Sequence, residues 1–331
     1  MKIEFKDLNW SEANEKKHEW DKLLIGSSFP NPFTSLPFYN AWIDTFINDT
    51  ESIRCIFFYD DKKLIGIAPL WINDKNKIVS ILGDKDLFDY RDIIINSEYE
   101  SEIYSILFHS VLESKSYEGY KFIFESIPEN SKLLDFVGTS DLNDLEINTT
   151  EEDVTPNINL PTNWEDYLIS LKKKQRHEVR RKLRKFESEN FTSQIITDKS
   201  QLDEFKSQFF DLFVKSREDK EEFLTPDRKS FFTKLLLNFA NESQLRILCL
   251  YDNSELISAC IVFDYNETYF LYNNAYSLMY NSFSVGLISK IYAIKESIEK
   301  NKTNFNFLRG DERYKYHLGG EEFKIYTVEI N

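Results

Sequence analysis

Residue types that mark non-globular structure are scarce in this sequence. Its 331 residues include only 9 Gly, 8 Pro and 3 Cys, which excludes collagen-like, low-complexity and disulfide-rich structures. The longest apolar stretch, residues 64–72, is too short to cross a bilayer. Hydrophobic residues make up 41% of the chain and aromatic residues 15%, so there is ample material for packed cores. The length favours two domains of ordinary size.

Catalytic motifs with a fixed signature are also missing. The chain contains no HExxH, GxSxG, GxGxxG or Walker loop. Its four histidines are scattered, and no spacing typical of a metal site is present. We therefore expect no metal and no tightly bound cofactor.

The three cysteines, Cys55, Cys249 and Cys260, form no CxxC pair. Two of them lie in apolar runs typical of buried strands, so we expect buried free thiols in a reducing compartment. The first ten residues lack the apolar segment of a signal peptide. These features predict a cytoplasmic protein without a transmembrane segment.

Charge is unevenly distributed along the chain. The net charge is −15 and the pI about 4.9, so the surface as a whole should repel nucleic acid. Residues 172–185 contain nine Lys or Arg and one Glu, a local charge of +8 that leaves −23 for the rest. This basic run is either a solvated helix face or a site for an anionic partner. It falls within a predicted helix, residues 164–190, whose apolar positions follow helical spacing: Leu168, Leu171, Val179, Leu183 and Phe186.

An internal repeat is the most informative structural signal. Residues 53–65 (IRCIFFYDDKKLI) and 245–257 (LRILCLYDNSELI) match at an offset of 192 residues. Each copy reads as two β-rich runs joined by a polar turn, which is typical of a hairpin. A predicted helix and a further strand follow each hairpin, with the helices at 98–114 and 285–300. Two unrelated hairpins would explain only the first match.

The repeat predicts an α/β fold with mixed sheets, made of two tandem modules packed side by side. We place the modules at residues 1–153 and 154–331, with the boundary in a polar stretch at 149–156. The basic helix at 164–190 opens the second module, and a strand at 322–330 closes it.

A helix start in the second module is a candidate anion site. After a tyrosine-rich strand and a loop, a helix begins at Ser284, Val285, Gly286 and Leu287. The first N–H groups of a helix lack intrahelical acceptors, and the helix dipole favours an anion such as a phosphate there. Gly286 would let that anion approach the backbone closely. The alternative is an ordinary helix start with a small residue.

The order of motifs in this region resembles a known family. YNNAY, the S-x-G-L-I helix start, the strand FNFLRGDE and the following YK are similar to the GNAT domain of Fem-type and cellulose-biosynthesis-associated acyltransferases. The basic helix, and NPFTSLPFYNAW, LIGIAPLW and DYRD in the first half, resemble the remainder of that family. The resemblance thus covers nearly the whole chain, although the full Q/R-x-x-G-x-G/A loop of single-domain GNAT proteins is missing.

The resemblance implies a duplicated GNAT fold, an acyl-CoA or aminoacyl-tRNA donor, and transfer to an amine or hydroxyl group. The donor pyrophosphate would bind at residues 284–287. Lys315, beside Tyr314, matches a lysine that lies near the reacting carbonyl in Fem-type relatives and would stabilise an oxyanion. Asp311 or Glu312 would accept the proton. The alternatives are a surface lysine and an exposed acidic turn.

Residues for the acceptor are predicted in both modules. In the first, Tyr90 and Asp92, with Arg91 between them, are candidates to line an acceptor pocket between the modules. The alternative for them is a loop that caps a strand. In the second module, Tyr272 and Asn274 on the tyrosine-rich strand are the candidates.

The leading functional hypothesis is an acyl-CoA-dependent N-acyltransferase that uses acetyl-CoA and acts on a small amine or an amino sugar. A second hypothesis is a Fem-like aminoacyl-tRNA-dependent transferase. The net charge of −15 counts against it, because phosphate contacts dominate RNA affinity, so we expect no nucleic-acid partner. A third hypothesis is a non-catalytic module that binds CoA or another ligand.

Overall fold

The computed structural model describes residues 2–112, 115–138, 146–216 and 219–331. The chain forms two compact units: the first comprises Met1–Val154 and Phe323–Asn331, and the second Thr155–Glu322. In the described part of the chain the three cysteines are buried and none forms a disulfide. None of the described helices is long and apolar enough to span a bilayer.

The first unit begins with a strand and two short helices and continues as a mixed α/β arrangement. The hairpin strands IRCIFFYD and KLIGIAPLWIN are buried along most of their length, as expected for strands with both faces covered. In chain order the elements are β1 (Ile3–Asn9), α1 (Trp10–Asn14), α2 (Lys17–Ile25), α3 (Leu36–Phe46), β2 (Ile53–Asp60), β3 (Lys63–Asn73), β4 (Ile78–Ile81), β5 (Ile94–Ile95), α4 (Glu100–Ile106), β6 (Lys121–Pro128), α5 (Lys132–Val137) and β7 (Ile147–Val154).

The second unit has the same kind of organisation with longer helices. In chain order its elements are β8 (Asn157–Asn159), α6 (Trp164–Ser170), α7 (Lys173–Glu187), β9 (Phe191–Ile196), α8 (Leu202–Ser216), α9 (Asp219–Phe223), α10 (Pro226–Asn241), β10 (Leu245–Asp252), β11 (Glu255–Tyr265), β12 (Thr268–Tyr276), α11 (Val285–Glu299), β13 (Asn304–Asn306) and α12 (Arg313–His317). The last strand of the chain, β14 (Lys324–Ile330), belongs to the first unit.

Each unit contains one mixed sheet. The strand order is β1-β2-β3-β4-β6-β14-β7 in the first unit, where β5 also pairs with β3, and β8-β13-β12-β11-β10-β9 in the second. Each sheet has one parallel pair, β4 with β6 and β12 with β13. Parallel neighbours require a crossover connection. Helix α4 with the π-helix Leu107–Leu112 supplies it in the first unit, and α11 in the second.

The two sheets confirm the predicted mixed α/β fold and the internal repeat. Hairpins β2–β3 and β10–β11 occupy matching places, and both carry the same irregularity of register. The shift falls between Phe58 and Tyr59 in β2 and between Leu250 and Tyr251 in β10, positions that coincide at the repeat offset. A shared β-bulge is a conserved feature of related strands. The predicted helices at 98–114 and 285–300 make the corresponding crossovers, although residues 113 and 114 lie outside the described part.

The predicted basic helix at 164–190 is two helices. The backbone is extended at Leu171 and Lys172, where ψ is 144° and 143°, so α6 and α7 are separate. Between Leu171 and Val179 the sequence offers no apolar residue for the inward face. The break lets both side chains reach the core of the second unit, where they are 4% and 3% exposed. Leu168 and Phe186 are also buried there, and Leu183 is half-buried.

The end of the chain differs from the predicted division at 153/154. The polar stretch at the expected boundary is largely strand β7, and β14, expected to close the second module, lies between β6 and β7 in the first sheet. Its inward side chains Ile325, Val328 and Ile330 are buried, and β6 and β7 would each lose their shared neighbour without it. The alternation of apolar residues predicts a strand but does not identify its partner strands.

The central position of β14 makes its core side chains critical for stability. We expect Ile325→Ala to lower the free energy of unfolding by about 2–5 kcal/mol, because it leaves a cavity at a fully buried position. Glu329→Ala, at an exposed position of the same strand, should change it by less than about 0.5 kcal/mol. Urea denaturation of the full chain measures both, and equal midpoints would contradict the central role of β14.

Candidate functional site

The sheet of the second unit opens between β12 and β13. These parallel strands pair only through Thr268–Phe270 and Asn304–Asn306. Beyond Phe270, β12 continues to Tyr276 with β11 on one side and no paired strand on the other in the described part of the chain. A register shift in the β11–β12 pairing, where Ile261 lies opposite Asn273 and Val262 opposite Leu271, makes Tyr272 the extra residue of a bulge. Such a bulge bends a strand and re-aims its side chains. The result is an open edge, residues 271–276, called here the β12 opening.

Helix α11 starts next to the end of this edge. Ser284 precedes it in the left-handed conformation, with φ 56° and ψ 39°. The N–H groups of Leu287 and Ile288 both donate to the Ser284 carbonyl oxygen, at 2.8 and 3.0 Å. The N–H groups of Val285 and Gly286 have no acceptor among the described residues. Of the four predicted donor-binding positions, two therefore offer free amides, and the Leu287 amide is already bonded.

Two lysines of α7 contact the loop in front of α11. The Lys182 ammonium group donates to the Ser284 hydroxyl oxygen, and the Lys185 ammonium group donates to the Ser282 carbonyl oxygen at 2.7 Å. Lys185 also lies 4.8 Å from the centroid of the Phe283 ring. The helix start therefore combines free amides, the positive end of the helix dipole and two cations, which together favour an anion.

Gly286 is required by packing as well as by access to the backbone. A Cβ atom at this position would lie 2.7 Å from ring atoms of Tyr276, the last residue of β12. Because real Cβ contacts are essentially never that short, any larger residue would displace the tyrosine. A Gly286 substitution thus tests the packing of the β12 opening and anion binding together.

Lys315 lies in α12 and is 1% exposed. Its ammonium group donates to the carbonyl oxygens of Leu308, Arg309 and Gly310, at 2.8, 2.6 and 2.9 Å. It also pairs with the Glu312 carboxylate at 2.9 Å. An ammonium group has three N–H donors, so these oxygens occupy all of them. Lys315 therefore stabilises the turn after β13, where Leu308 and Gly310 have positive φ. None of its three N–H donors is left to bond to an oxyanion.

A second buried lysine, which the sequence analysis missed, lies beside the β12 opening. Lys290 in α11 is 4% exposed. Its ammonium group donates to the side-chain oxygen of Asn274 at 3.1 Å and to the Gly286 carbonyl oxygen at 2.7 Å. It lies 4.9 Å from the ring centroid of Tyr314 and 5.9 Å from that of Tyr276. Burial lowers the pKa of Lys290.

The other predicted residues of the second unit divide into two groups. Asn274 and Tyr314 meet at Lys290, and burial raises the pKa of Tyr314 well above its usual value. Tyr272 packs its ring near Phe263, with centroids 5.0 Å apart, and has no described contact with Lys290. Asp311 is exposed at the turn before α12. Among the described residues there is no group of three His, Cys, Asp or Glu side chains that could hold a metal ion.

The predicted acceptor residues of the first unit are more buried than a binding surface requires. Tyr90 is 0% exposed, and its ring centroid lies 4.9 Å from that of Phe29 and 5.9 Å from that of Phe33. Arg91 is 1% exposed and pairs with Glu125 at 2.5 Å. These contacts give Tyr90 and Arg91 roles in the packing of the first unit.

Asp92 is a half-buried carboxyl group in the first unit. It accepts a hydrogen bond from the Ile93 N–H at 2.8 Å. Burial raises its pKa from 3.8 to about 7, against the opposing effect of hydrogen bonds from Ser131 and Ile93. The folded chain therefore holds a proton here over a pH range in which an unfolded chain would release it.

Comparison with known proteins finds one family model that matches most of the second unit. Residues 173–316 match the family model described as "Acetyltransferase (GNAT) domain". The matched residues run from the start of α7 to the last turn of α12 and include the β12 opening, Lys290 and the start of α11. No curated protein sequence is significantly similar to this chain.

Three solved structures share the fold over nearly their whole length. FemX has a TM-score of 0.66 with 12% identity, covering 96% of both chains. A conserved protein of unknown function from Bacteroides thetaiotaomicron VPI-5482 has 0.65 with 12% identity, covering 99% of both. A tandem GNAT protein from the clavulanic acid biosynthesis pathway has 0.51 with 9% identity, covering 99% of this chain and 98% of that one. The chain thus has a duplicated GNAT-like fold, and residues 173–316 of it match the acetyltransferase family model.

The Lys315 geometry predicts a structural effect of its removal. Lys315→Met should lower the free energy of unfolding by about 3–5 kcal/mol, because it removes the buried donor of three backbone carbonyl groups. Lys324→Met removes a lysine that pairs with Glu151 at the surface and should cost at most about 1 kcal/mol. Urea denaturation measures both variants. If Lys315→Met is as stable as wild type, Lys315 does not hold the turn, and its ammonium group would be available for catalysis.

The raised pKa of Asp92 predicts a pH effect of defined sign. Since the folded state keeps the proton up to about pH 7 while the unfolded state loses it near pH 4, this group makes stability fall as pH rises between the two values. The full fall amounts to about 4 kcal/mol. Asp92→Asn cannot ionise, so its melting temperature should rise relative to wild type from about pH 4 to about pH 7. A constant difference would contradict the shift.

Proposed function

We propose that this chain is an acyl-CoA-dependent N-acyltransferase that transfers an acyl group, with acetyl-CoA as the donor, to an amine of a small molecule or an amino sugar. One observation carries the proposal. Two free amides at the start of α11, beside Lys182 and Lys185, lie at the end of an open strand edge within the matched acetyltransferase domain.

The charged part of the donor would bind at the start of α11. Its pyrophosphate accepts hydrogen bonds from the Val285 and Gly286 amides, and the two α7 lysines supply the opposing charge. Such an arrangement is needed on a chain of net charge −15, whose overall field repels an anionic donor. The acyl arm would then lie along the β12 opening, on the side of β12 opposite β11.

The reaction requires orientation, proton removal and stabilisation of an oxyanion. The amine nitrogen attacks the thioester carbonyl carbon, and the carbon–sulfur bond breaks to release CoA. Asp311 is the proposed proton acceptor because its carboxylate is exposed next to the turn that Lys315 holds. Lys315 is a positioning residue in this scheme, and Tyr314 supports the buried side of the β12 opening. Tyr272 and Asn274 remain the proposed acceptor contacts on β12.

An aminoacyl-tRNA donor is the second candidate, and the exposed face of α7 favours it. Lys173, Lys174, Arg180 and Arg184 are exposed there, so a polyanion could contact several of them at once. The two candidates use different residues of one helix. Free acyl-CoA needs the residues that touch the loop before α11, whereas RNA needs the exposed face.

Charge reversal on α7 tests the donor site. We expect Lys182→Glu/Lys185→Glu to weaken acetyl-CoA binding at least about tenfold, because loss of one charge-assisted contact costs about 1.5–3 kcal/mol. Titration calorimetry at about 0.15 M salt measures the affinity.

Arg181→Glu/Arg184→Glu is the matched control, since it changes the same charge on the exposed face of the same helix. At this salt concentration charges beyond about 8 Å are screened, so acetyl-CoA affinity should stay within about twofold of wild type. Equal losses in both double variants would mean that α7 acts only through its overall field. Loss of RNA binding by the control, with acetyl-CoA binding absent in wild type, would favour the second candidate.

A further inference from the structure

Lys290 has a setting that packing alone does not require. The apolar stripe of α11 consists of Ile288, Ile291, Ile294 and Ile298, all buried, and a lysine among them costs the desolvation of its charge. Its ammonium group bonds to two oxygens, on Asn274 and Gly286. Neither is a carboxylate, and no Asp or Glu of the described residues lies within ion-pair distance of it.

The charges near Lys290 leave one positive charge uncompensated. Lys315 and Glu312 form an ion pair at 2.9 Å, so their charges cancel. Glu312 attracts the Lys290 charge and Lys315 repels it. Only the Asn274 and Gly286 oxygens and the tyrosine ring faces remain to stabilise it. A buried cation without a paired anion creates a positive electrostatic potential, which stabilises an anion or a developing negative charge nearby.

The N–H donors of Lys290 are not all used. Two of the three bond to the Asn274 and Gly286 oxygens, and the third has no oxygen acceptor in the described part of the chain. This differs from Lys315, whose donors are all occupied. Of the two buried lysines, only Lys290 can bond to a new oxygen without giving up a protein partner.

The depth of Lys290 indicates which part of a donor it meets. Lys182 is about one-fifth exposed and Lys185 is exposed, and both lie at the outer, solvated end of the β12 opening, which suits phosphates. Lys290 is 4% exposed and bonds to Asn274, two residues further into β12 than Tyr276. A donor that keeps its phosphates at the surface brings its uncharged acyl arm to this depth.

We propose that Lys290, and not Lys315, donates the hydrogen bond to the carbonyl oxygen of the acyl donor and stabilises the oxyanion of the transfer step. This inference rests on the proposed function. When the amine nitrogen attacks the carbonyl carbon, the C=O electron pair moves to the oxygen, and the Lys290 N–H bonds to that oxygen without giving up its proton. The carbonyl re-forms as the carbon–sulfur bond breaks and CoA leaves as the thiolate. The nitrogen proton goes to Asp311 or to water.

The bound carbonyl itself reports this hydrogen bond. Infrared difference spectra of acetyl-CoA labelled with ¹³C at the thioester carbonyl would be recorded free and bound to the full chain. We expect the carbonyl stretch to move to lower wavenumber on binding to wild type, because a charged donor polarises the bond. The shift should be lost in Lys290→Met and partly kept in Lys290→Arg. A residue that only packs the helix would not change this frequency.

Lys295→Met is the matched control, since Lys295 lies on the same helix, is about half exposed and pairs with Glu299 at the surface. It should keep the wild-type shift. If Lys290→Met does not fold, Lys290→Gln takes its place, and the wild-type spectrum alone already tests the proposal. With an amine found by release of CoA thiol, Lys290→Met should lower kcat by about 10²–10³-fold while the acetyl-CoA Kd changes little.

The possible outcomes separate the two proposals. A wild-type carbonyl frequency equal to that of free acetyl-CoA, or an equal shift in wild type and Lys290→Met, overturns the role of Lys290 and leaves the proposed function standing. Failure of wild type to bind acetyl-CoA overturns both. Loss of the shift in Lys290→Met, with acetyl-CoA bound and Lys295→Met unchanged, supports the inference.

Discussion

The parallel pairing of β12 with β13 ends after three residue pairs, and the proposed site of the second unit depends on this early end. Had β13 continued beside β12 beyond Asn306, it would have paired with β12 on the side opposite β11 and closed the edge. Instead the chain leaves the sheet after β13, and Phe307 bonds to the Pro156 carbonyl oxygen at 2.9 Å. Lys315 then holds the following turn by three backbone carbonyl groups. The β12 opening is thus maintained by bonds made outside it.

The distribution of charge follows the same geometry. The chain carries −15 overall, yet cations gather where β12 ends and α11 begins. Two of them, Lys182 and Lys185, reach the loop from α7, and Lys290 reaches back along its own helix to Gly286. Side chains on a helix point toward its N-terminus, which is why a lysine one turn into α11 can place its ammonium group under the helix start. In the proposed site, the surface and buried cations would bind different parts of one elongated donor.

Local patterns in the sequence predicted much of the fold. The hairpins at 53–65 and 245–257 are present, and even their register shifts coincide, because apolar alternation and turn residues are local signals. The predicted helix at 285–300 differs from α11 by a single residue at its end. The position of β14 in the first sheet and the break at Leu171 were not predictable this way, since both depend on partners far away in the chain.

The site was predicted in part for the same reason. A helix start can be predicted from sequence, so Val285 and Gly286 could be named as candidates. The hydrogen bond from the Leu287 amide to the Ser284 carbonyl oxygen can be seen only in the three-dimensional structure. Lys315 was named because of the family resemblance. A resemblance gives the position of a residue in the sequence but not the hydrogen bonds that its side chain makes. Lys290 was missed because a lysine among helix residues is usually solvent-exposed. One signal was present: its four-residue spacing from Gly286 places both on one face of α11.

A crystal structure of the chain with acetyl-CoA tests the central claim most directly, because the claim concerns where one elongated donor lies in the second unit. The pyrophosphate should accept hydrogen bonds from the Val285 and Gly286 amides beside Lys182 and Lys185. The thioester carbonyl oxygen should lie within about 3 Å of the Lys290 ammonium group. Acetyl-CoA bound elsewhere on the unit, with the start of α11 empty, would contradict the assignment of this site.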